Sequence, residues 1–128
     1  MARKNSKKIL VVEDDSMISS MYKTKFEVDG FDVFVADNGV LGLELAKKEK
    51  PDIIMLDIIL PQLDGFSVLE QIKQDKTIKD TPVIMLTNLG TEEDKKKGEK
   101  MGALDYLVKA SLTPGQVSEK IKQALKIN

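Results

Sequence analysis

Three runs of unbroken apolar residues, Ile9-Leu10-Val11-Val12, Ile53-Ile54-Met55-Leu56 and Val83-Ile84-Met85-Leu86, constrain this chain more than any other feature. A strand with one wet face alternates apolar and polar residues, so a continuous run predicts a strand covered on both faces. Two weaker segments, Asp32 to Ala36 and Asp105 to Val108, each open on an acid and read as edge strands.

Helix punctuation fills the gaps between them. Ser16 can cap a first helix running to about Val28, with Gly30 beyond its end and Ile18, Met21, Tyr22 and Phe26 supplying much of an inward face. A second spans about Gly39 to Lys48, carries Leu41, Leu43, Leu45 and Ala46, and is blocked by Pro51. A third starts near Asp64, carries Phe66, Val68, Leu69 and Ile72, and fades before Thr81-Pro82. The fifth has the clearest start, with Thr113 as N-cap, Pro114 at the first helical position and Gln116 completing a capping box. The fourth, from Thr91 to Met101, reads TEEDKKKGEKM. It has almost no apolar stripe and encloses Gly98, so packing contributes little and a marginal, mobile helix is expected. A solvated surface helix with no further role fits its composition equally well.

Repeated strand-helix pairs imply a parallel sheet with right-handed crossovers and helices on both faces. With the apolar strands central and the weaker ones at the edges, the order is 2-1-3-4-5, a flavodoxin-like doubly wound α/β fold of five strands and five helices. A chain of 128 residues has room for one such domain, so a short basic tail over residues 1–7 and one domain over 8–128 are expected. In this topology ligands bind beyond the carboxyl ends of strands one and three, where Glu13-Asp14-Asp15 and Asp57 stand.

Composition then excludes whole classes of function. Lys and Arg number 20 against 21 acids, a net charge of −1 that gives no field to attract nucleic acid or anionic lipid. Direct nucleic-acid binding and membrane insertion are therefore not expected. The apolar run behind Arg3, Lys4, Lys7 and Lys8 stops at Glu13, far too short for a signal peptide or a span, and a cytoplasmic location is expected. Cys and His are both absent, which removes thiolate nucleophiles, zinc sites and the usual general base. Oxygen and amine chemistry is what remains.

Such chemistry gathers at one rim of the expected sheet, where Glu13, Asp14, Asp57, Thr87 and Lys109 end or follow strands. Three carboxylates this close repel one another, and a divalent cation relieves the repulsion; all-oxygen ligands favour Mg²⁺ or Mn²⁺, of which Mg²⁺ is expected. Phosphoryl transfer spreads negative charge over three equatorial oxygens, which Mg²⁺, Lys109 and the Thr87 hydroxyl could each meet. Asp57 would be the nucleophile that becomes an aspartyl phosphate.

The motifs VVEDDS at Val11 to Ser16, MLDIILPQLDG at Met55 to Gly65, MLTN at Met85 to Asn88 and GALDYLVKA at Gly102 to Ala110 together resemble the response-regulator receiver domains of two-component signalling, with the spacings of the single-domain chemotaxis-type regulators. The resemblance implies that Glu13, through water, and Asp14, directly, hold Mg²⁺, with Asp57 and the backbone carbonyl of Ile59 completing its shell. It implies that Asp57 is the phosphoacceptor, that Thr87 and Lys109 assist catalysis, and that Tyr106 is an aromatic switch turning inward as Thr87 moves. The implied partners are a sensor histidine kinase or histidine phosphotransfer protein as donor, and a downstream protein on the face made by helix four, strand five and helix five. The chain would be a monomer or a phosphorylation-dependent dimer, and not an enzyme beyond phosphorylating and dephosphorylating itself.

Competing readings are specific. An acid before a helix also serves as a cap, which could explain Asp15 and part of Glu13-Asp14 without chemistry, although a cap does not explain Asp57 at the neighbouring strand end. Tyr106 could be edge-strand packing. A Mg²⁺-dependent aspartate-nucleophile phosphohydrolase needs a second acid two residues after Asp57, where Ile59 stands. A receiver-like binding module that is never phosphorylated would not need every chemical position filled. Two departures from the family stand out: Ala110 replaces the proline that usually follows the lysine, and Asn88 is larger than the usual neighbour of the threonine. Ile59 and Leu89 flank the implied water path and cannot orient water, which predicts slow self-dephosphorylation. Met17, off the inward face and next to the acidic rim, could seat the helix of a phosphohistidine donor, or could lie partly buried under a loop.

Overall fold

The computed structural model describes residues 6–88 and 90–127. Along the chain run β1 (Lys8–Val12), α1 (Ser16–Val28), β2 (Asp32–Ala36), α2 (Gly39–Glu49), β3 (Ile53–Asp57), α3 (Gly65–Gln74), β4 (Val83–Thr87), α4 (Glu92–Lys100), β5 (Asp105–Val108) and α5 (Pro114–Ala124). The strands form one sheet in the order β2-β1-β3-β4-β5, every neighbouring pair parallel. Residues 1–5 of the expected basic tail lie outside the described residues. Among the described residues no helix is long and apolar enough to cross a membrane.

The continuous apolar runs are divided residue by residue between two cores. Ile9, Val11, Ile53, Met55, Ile84 and Leu86 face α1 and α5, where they meet Tyr22, Phe26, Val117 and Ile121. Their neighbours Leu10, Val12, Ile54, Leu56, Val83 and Met85 face the other way, onto Leu43 and Ala46 of α2 and Val68, Leu69 and Ile72 of α3. Successive strand residues point to opposite faces, so only an unbroken run can supply both cores. The edge strands β2 and β5 are less buried, as their acid-led sequences predict.

Helix ends follow local capping chemistry, with two corrections to the sequence reading. Asp15, not Ser16, caps α1: its carboxylate accepts from the N–H groups of Met17 and Ile18 over 2.9 and 3.2 Å, leaving Ser16 as the first helical residue. Asp15 is extended, which lets a carboxylate reach two unpaired donors of the first turn and meet the positive end of the helix dipole. Met21, expected on the inward face, is 46% exposed. Ile18, Tyr22 and Phe26 recur at intervals of four and serve the inward arc, whereas Met21 lies on the outer arc with Met17 and Val28. Asn38 caps α2, Asp64 caps α3 and Thr91 caps α4, and α5 carries the full Thr113-Gln116 capping box.

Only Gly98 is buried on α4, so this helix is held by its cap and by few side chains, among them Lys97, whose ammonium lies 4.4 Å from the centroid of the Phe66 ring. By contrast α1 and α5 are tied together at Asp29, which accepts a 2.5 Å bond from the Ser118 hydroxyl and lies 3.4 and 3.9 Å from the amines of Lys25 and Lys122. The serine bond, helped by both lysines against some desolvation, holds the Asp29 carboxyl below the usual carboxylate range.

Candidate acidic site at the carboxyl rim of the sheet

Because β1 and β3 are neighbours in register, Glu13 and Asp14 leave the sheet beside Asp57. Carboxylate oxygens of these three residues lie within 4.8 Å of one another. Glu13 is 1% exposed and Asp57 is buried, while Asp14 is exposed to solvent. Thr87 ends β4 on the far side of Asp57, and Lys109 follows β5 one strand further out.

The long lysine side chain crosses that gap. Its ammonium donates to Asp57 Oδ2 over 2.8 Å and also to Glu13 Oε1, while Glu13 Oε2 accepts from the Asp15 N–H over 3.1 Å. Desolvation alone would lower the Lys109 pKa, but its bonds to Asp57 and Glu13 outweigh burial and raise it. For Glu13 the balance differs: burial pushes the carboxyl up, the Lys109 bond opposes it in part, and the Asp57 charge adds to the rise. The pairing of Lys109 with Glu13 was not foreseen from the sequence, because no motif spacing shows that a residue 96 positions away reaches across two strands.

The sequence-predicted residues therefore converge. Glu13, Asp14, Asp57, Thr87 and Lys109 line one cleft of about 390 Å³, whose wall also includes Asp15, Ile18, Ile59 and Asn88. Ile59 is 71% exposed at its mouth. Leu89, paired with Ile59 in the sequence reading, lies outside the described residues. Met17 is 82% exposed, which excludes burial under a neighbouring loop. Tyr106 is half-buried against the core formed with α2 and α3. Burial chiefly, and the nearby Asp94 charge, raise its phenol pKa, while hydrogen bonds to the side chains of Thr87 and Thr91 act the other way. The aromatic ring is thus linked both to the cleft and to the residue that caps α4.

Two local features went unread in the sequence. Without a proline after the lysine, Lys109–Ser111 form a single 3₁₀ turn that leads the chain to α5. Gly65 opens α3 so close to the sheet that a Cβ there would lie 2.1 Å from the Asp57 carbonyl oxygen, and its N–H donates to Ile58 over 2.8 Å. The Asp64-Gly65 pair was a visible signal, but the close approach it permits depends on the position of β3.

The donor set suits a divalent metal. Three carboxylates against one ammonium leave two negative charges uncompensated within this group, and every available ligand atom is oxygen. A small hard dication matches both the charge and the ligand type.

Comparison with known proteins agrees with this geometry. The sequence profile of the response regulator receiver domain matches residues 9–122. The chain is 44% identical over 102 residues to the DNA-binding dual master transcriptional regulator RpaA of Synechocystis sp., covering 80% of this chain and 42% of that protein. It is 40% identical over 121 residues to the alkaline phosphatase synthesis transcriptional regulatory protein PhoP of Bacillus subtilis, covering 94% of this chain and 49% of PhoP. It thus spans less than half the length of either relative. Among solved structures, the Francisella response regulator 1452 receiver domain superposes with a TM-score of 0.86 at 36% identity, covering 94% of this chain and 98% of that one. The Vibrio cholerae chemotaxis protein CheY4 gives a TM-score of 0.86 at 29% identity, covering 92% and 98%. With an acidic rim at the predicted switch point, a five-stranded order shared with these structures and a profile match across most of its length, the chain belongs to the response regulator receiver domain family.

Proposed function

We propose that this receiver accepts a phosphoryl group on Asp57 from the phosphohistidine of a sensor histidine kinase or histidine phosphotransfer protein. The observation that carries the reading is the Lys109 ammonium held between the buried Asp57 and Glu13 carboxylates with Asp14 in reach. One Asp57 carboxylate oxygen attacks phosphorus, the P–N bond of the donor breaks, and its electron pair returns to the imidazole ring. Lys109 and the Thr87 hydroxyl donate to phosphoryl oxygens as charge spreads over them. Glu13, Asp14, Asp57 and the Ile59 backbone carbonyl would hold Mg²⁺, which when bound neutralises phosphoryl charge. Catalysis is confined to the domain's own phosphorylation and dephosphorylation.

Readout follows from what Thr87 touches. As its hydroxyl turns to the phosphoryl group, its bond to Tyr106 is given up, and the face made by α4, β5 and α5 changes its affinity for a downstream protein. The weakly packed α4 makes that face responsive. The direct test is incubation with acetyl phosphate, with and without Mg²⁺, followed by intact mass measurement. An acid-stable, base-labile phosphate adduct that requires the metal supports the reading; no adduct overturns it.

Two further outcomes are expected. Ile59→Asn should speed adduct hydrolysis several-fold, below the ~100-fold that a true general base supplies, because an amide can orient the water that isoleucine cannot. A time course of adduct loss by mass measures this, and an unchanged rate counts against it. Met17→Asp should reduce phosphotransfer from the cognate kinase at least about tenfold, the loss typical of an interface anchor, while acetyl phosphate still modifies the protein at the wild-type rate. Equal loss with both donors would place the defect in the site and not in docking.

A further inference from the structure

The N-terminus of α2 grips the loop that follows Asp57. Leaving β3, the chain of residues 58–64 is folded back so that Gly65 rests against the Asp57 carbonyl. Midway, the Leu63 N–H donates to the Pro61 carbonyl over 2.8 Å across Gln62, whose φ of 69° lies in the left-handed region. This three-residue turn is a conformation that a non-glycine residue holds only where its surroundings over-determine it. The surroundings here are α2: the Pro61 carbonyl accepts a second bond from the Gly39 N–H over 3.3 Å. A Cβ at Gly39 would stand 1.8 Å from the Leu63 carbonyl oxygen and 2.8 Å from Leu63 Cβ, so any side chain there displaces the loop backbone. Gly39 cannot retreat, because it is the first residue of α2 and the next turn of that helix rests on β1, where a Cβ at Gly42 would stand 2.8 Å from Val12 Cγ1.

We infer that Gly39 is a positioning residue for the phosphoacceptor site, acting through Pro61 and Leu63 on the loop that presents the Ile59 carbonyl. The inference rests on the proposed roles of Asp57 and Ile59. It makes α2, which contributes no side chain to the cleft, a determinant of metal affinity and phosphoryl acceptance. Linkage makes the coupling reciprocal: if the Gly39-Pro61 bond holds the loop for the metal, the metal holds that bond.

The test compares Gly39→Ala with Asn38→Ala, which weakens the same helix end by removing its cap but puts no atom into the loop. Titrated with Mn²⁺ as the probe, Gly39→Ala should bind about tenfold or more weakly, the loss expected when a ligand's support is disturbed, whereas Asn38→Ala should stay within about twofold of wild type. Wild-type amide exchange supplies a readout that needs no variant: Gly39 exchange should slow on adding Mg²⁺. Equal affinities of Gly39→Ala and wild type, equal weakening in both variants, or Gly39 exchange indifferent to Mg²⁺ would each overturn the inference. Should Gly39→Ala fail to fold, the wild-type exchange result decides alone. If wild type neither binds Mn²⁺ nor takes up phosphate, the proposed function itself has failed; if it does both and Gly39 proves indifferent, only the positioning role has.

Discussion

Asp57→Asn is expected to yield no phosphate adduct under conditions that modify the wild-type chain to completion. Asparagine keeps the size of the side chain and an oxygen able to accept the Lys109 bond seen at 2.8 Å, but an amide oxygen lacks the charge that makes the carboxylate a nucleophile. The other acids are poor substitutes: Glu13 is buried and occupied by Lys109 and the Asp15 N–H, and Asp14 is exposed to solvent. The same change removes one of three clustered carboxylates, so metal binding should weaken while the uncompensated charge of the group falls from two to one. Folding stability without metal should consequently be kept or increased, because the Glu13-Lys109 pair survives. Intact mass after acetyl phosphate treatment and a urea transition without divalent cation check both halves. An adduct retained at wild-type level would show that the nucleophile is another residue.

Lys109→Met should cost the fold about 3–5 kcal/mol in the absence of divalent cation, because it leaves two buried carboxylates facing each other with no counter-charge. Methionine fills much of the same volume, so the loss is electrostatic and not a cavity. Its pH dependence follows from Glu13, whose carboxyl burial already holds above the ordinary value and which rises further once the ammonium is gone. In the unfolded chain this group titrates normally. Raising the pH from about 4 to about 7 therefore ionises it freely in the unfolded state and at a cost in the folded one, so the deficit of the variant is small in acid and grows toward neutrality. In the wild type the raised pKa of Lys109 means that its contribution is fully present below the ordinary lysine value and is lost only as pH climbs through the raised one. Mg²⁺ should restore part of the variant's stability, about 2.7 kcal/mol at a hundredfold excess over its dissociation constant. Urea transitions across pH, with and without Mg²⁺, measure each term, and a deficit that neither pH nor Mg²⁺ alters would show the loss to be one of packing.

How far the fold was legible depended on whether the information was local. The three apolar runs sufficed for the central strands, and the two acid-led segments for the edges, because burial on both faces selects an unbroken apolar run and leaves polar residues such as Asp57 and Thr87 to the strand ends. The Thr113-Pro114-Gln116 start of α5 was read correctly because every group in a capping box lies within one turn. The start of α1 is not decided locally: Asp15 and Ser16 are both competent caps, and the choice turns on which residue the exit from β1 leaves extended. Apolarity alone points Met21 inward, whereas the phase of Ile18, Tyr22 and Phe26 places it on the outer arc, where it is found.

For the site, residue types and their places at strand ends were decided by sequence, since the order of apolar runs sets which strands are central and therefore which acids share a rim. Tertiary structure decided who pairs with whom. That Lys109 bonds both Glu13 and Asp57, that Tyr106 reaches Thr87 and Thr91, and that Gly39 lies against Leu63 all depend on elements brought together from distant parts of the chain. Periodicity and capping report on neighbours within a turn or two of one element. Distances between elements are set only when the whole sheet and its two helix layers pack at once, and burial then fixes which charges must find partners.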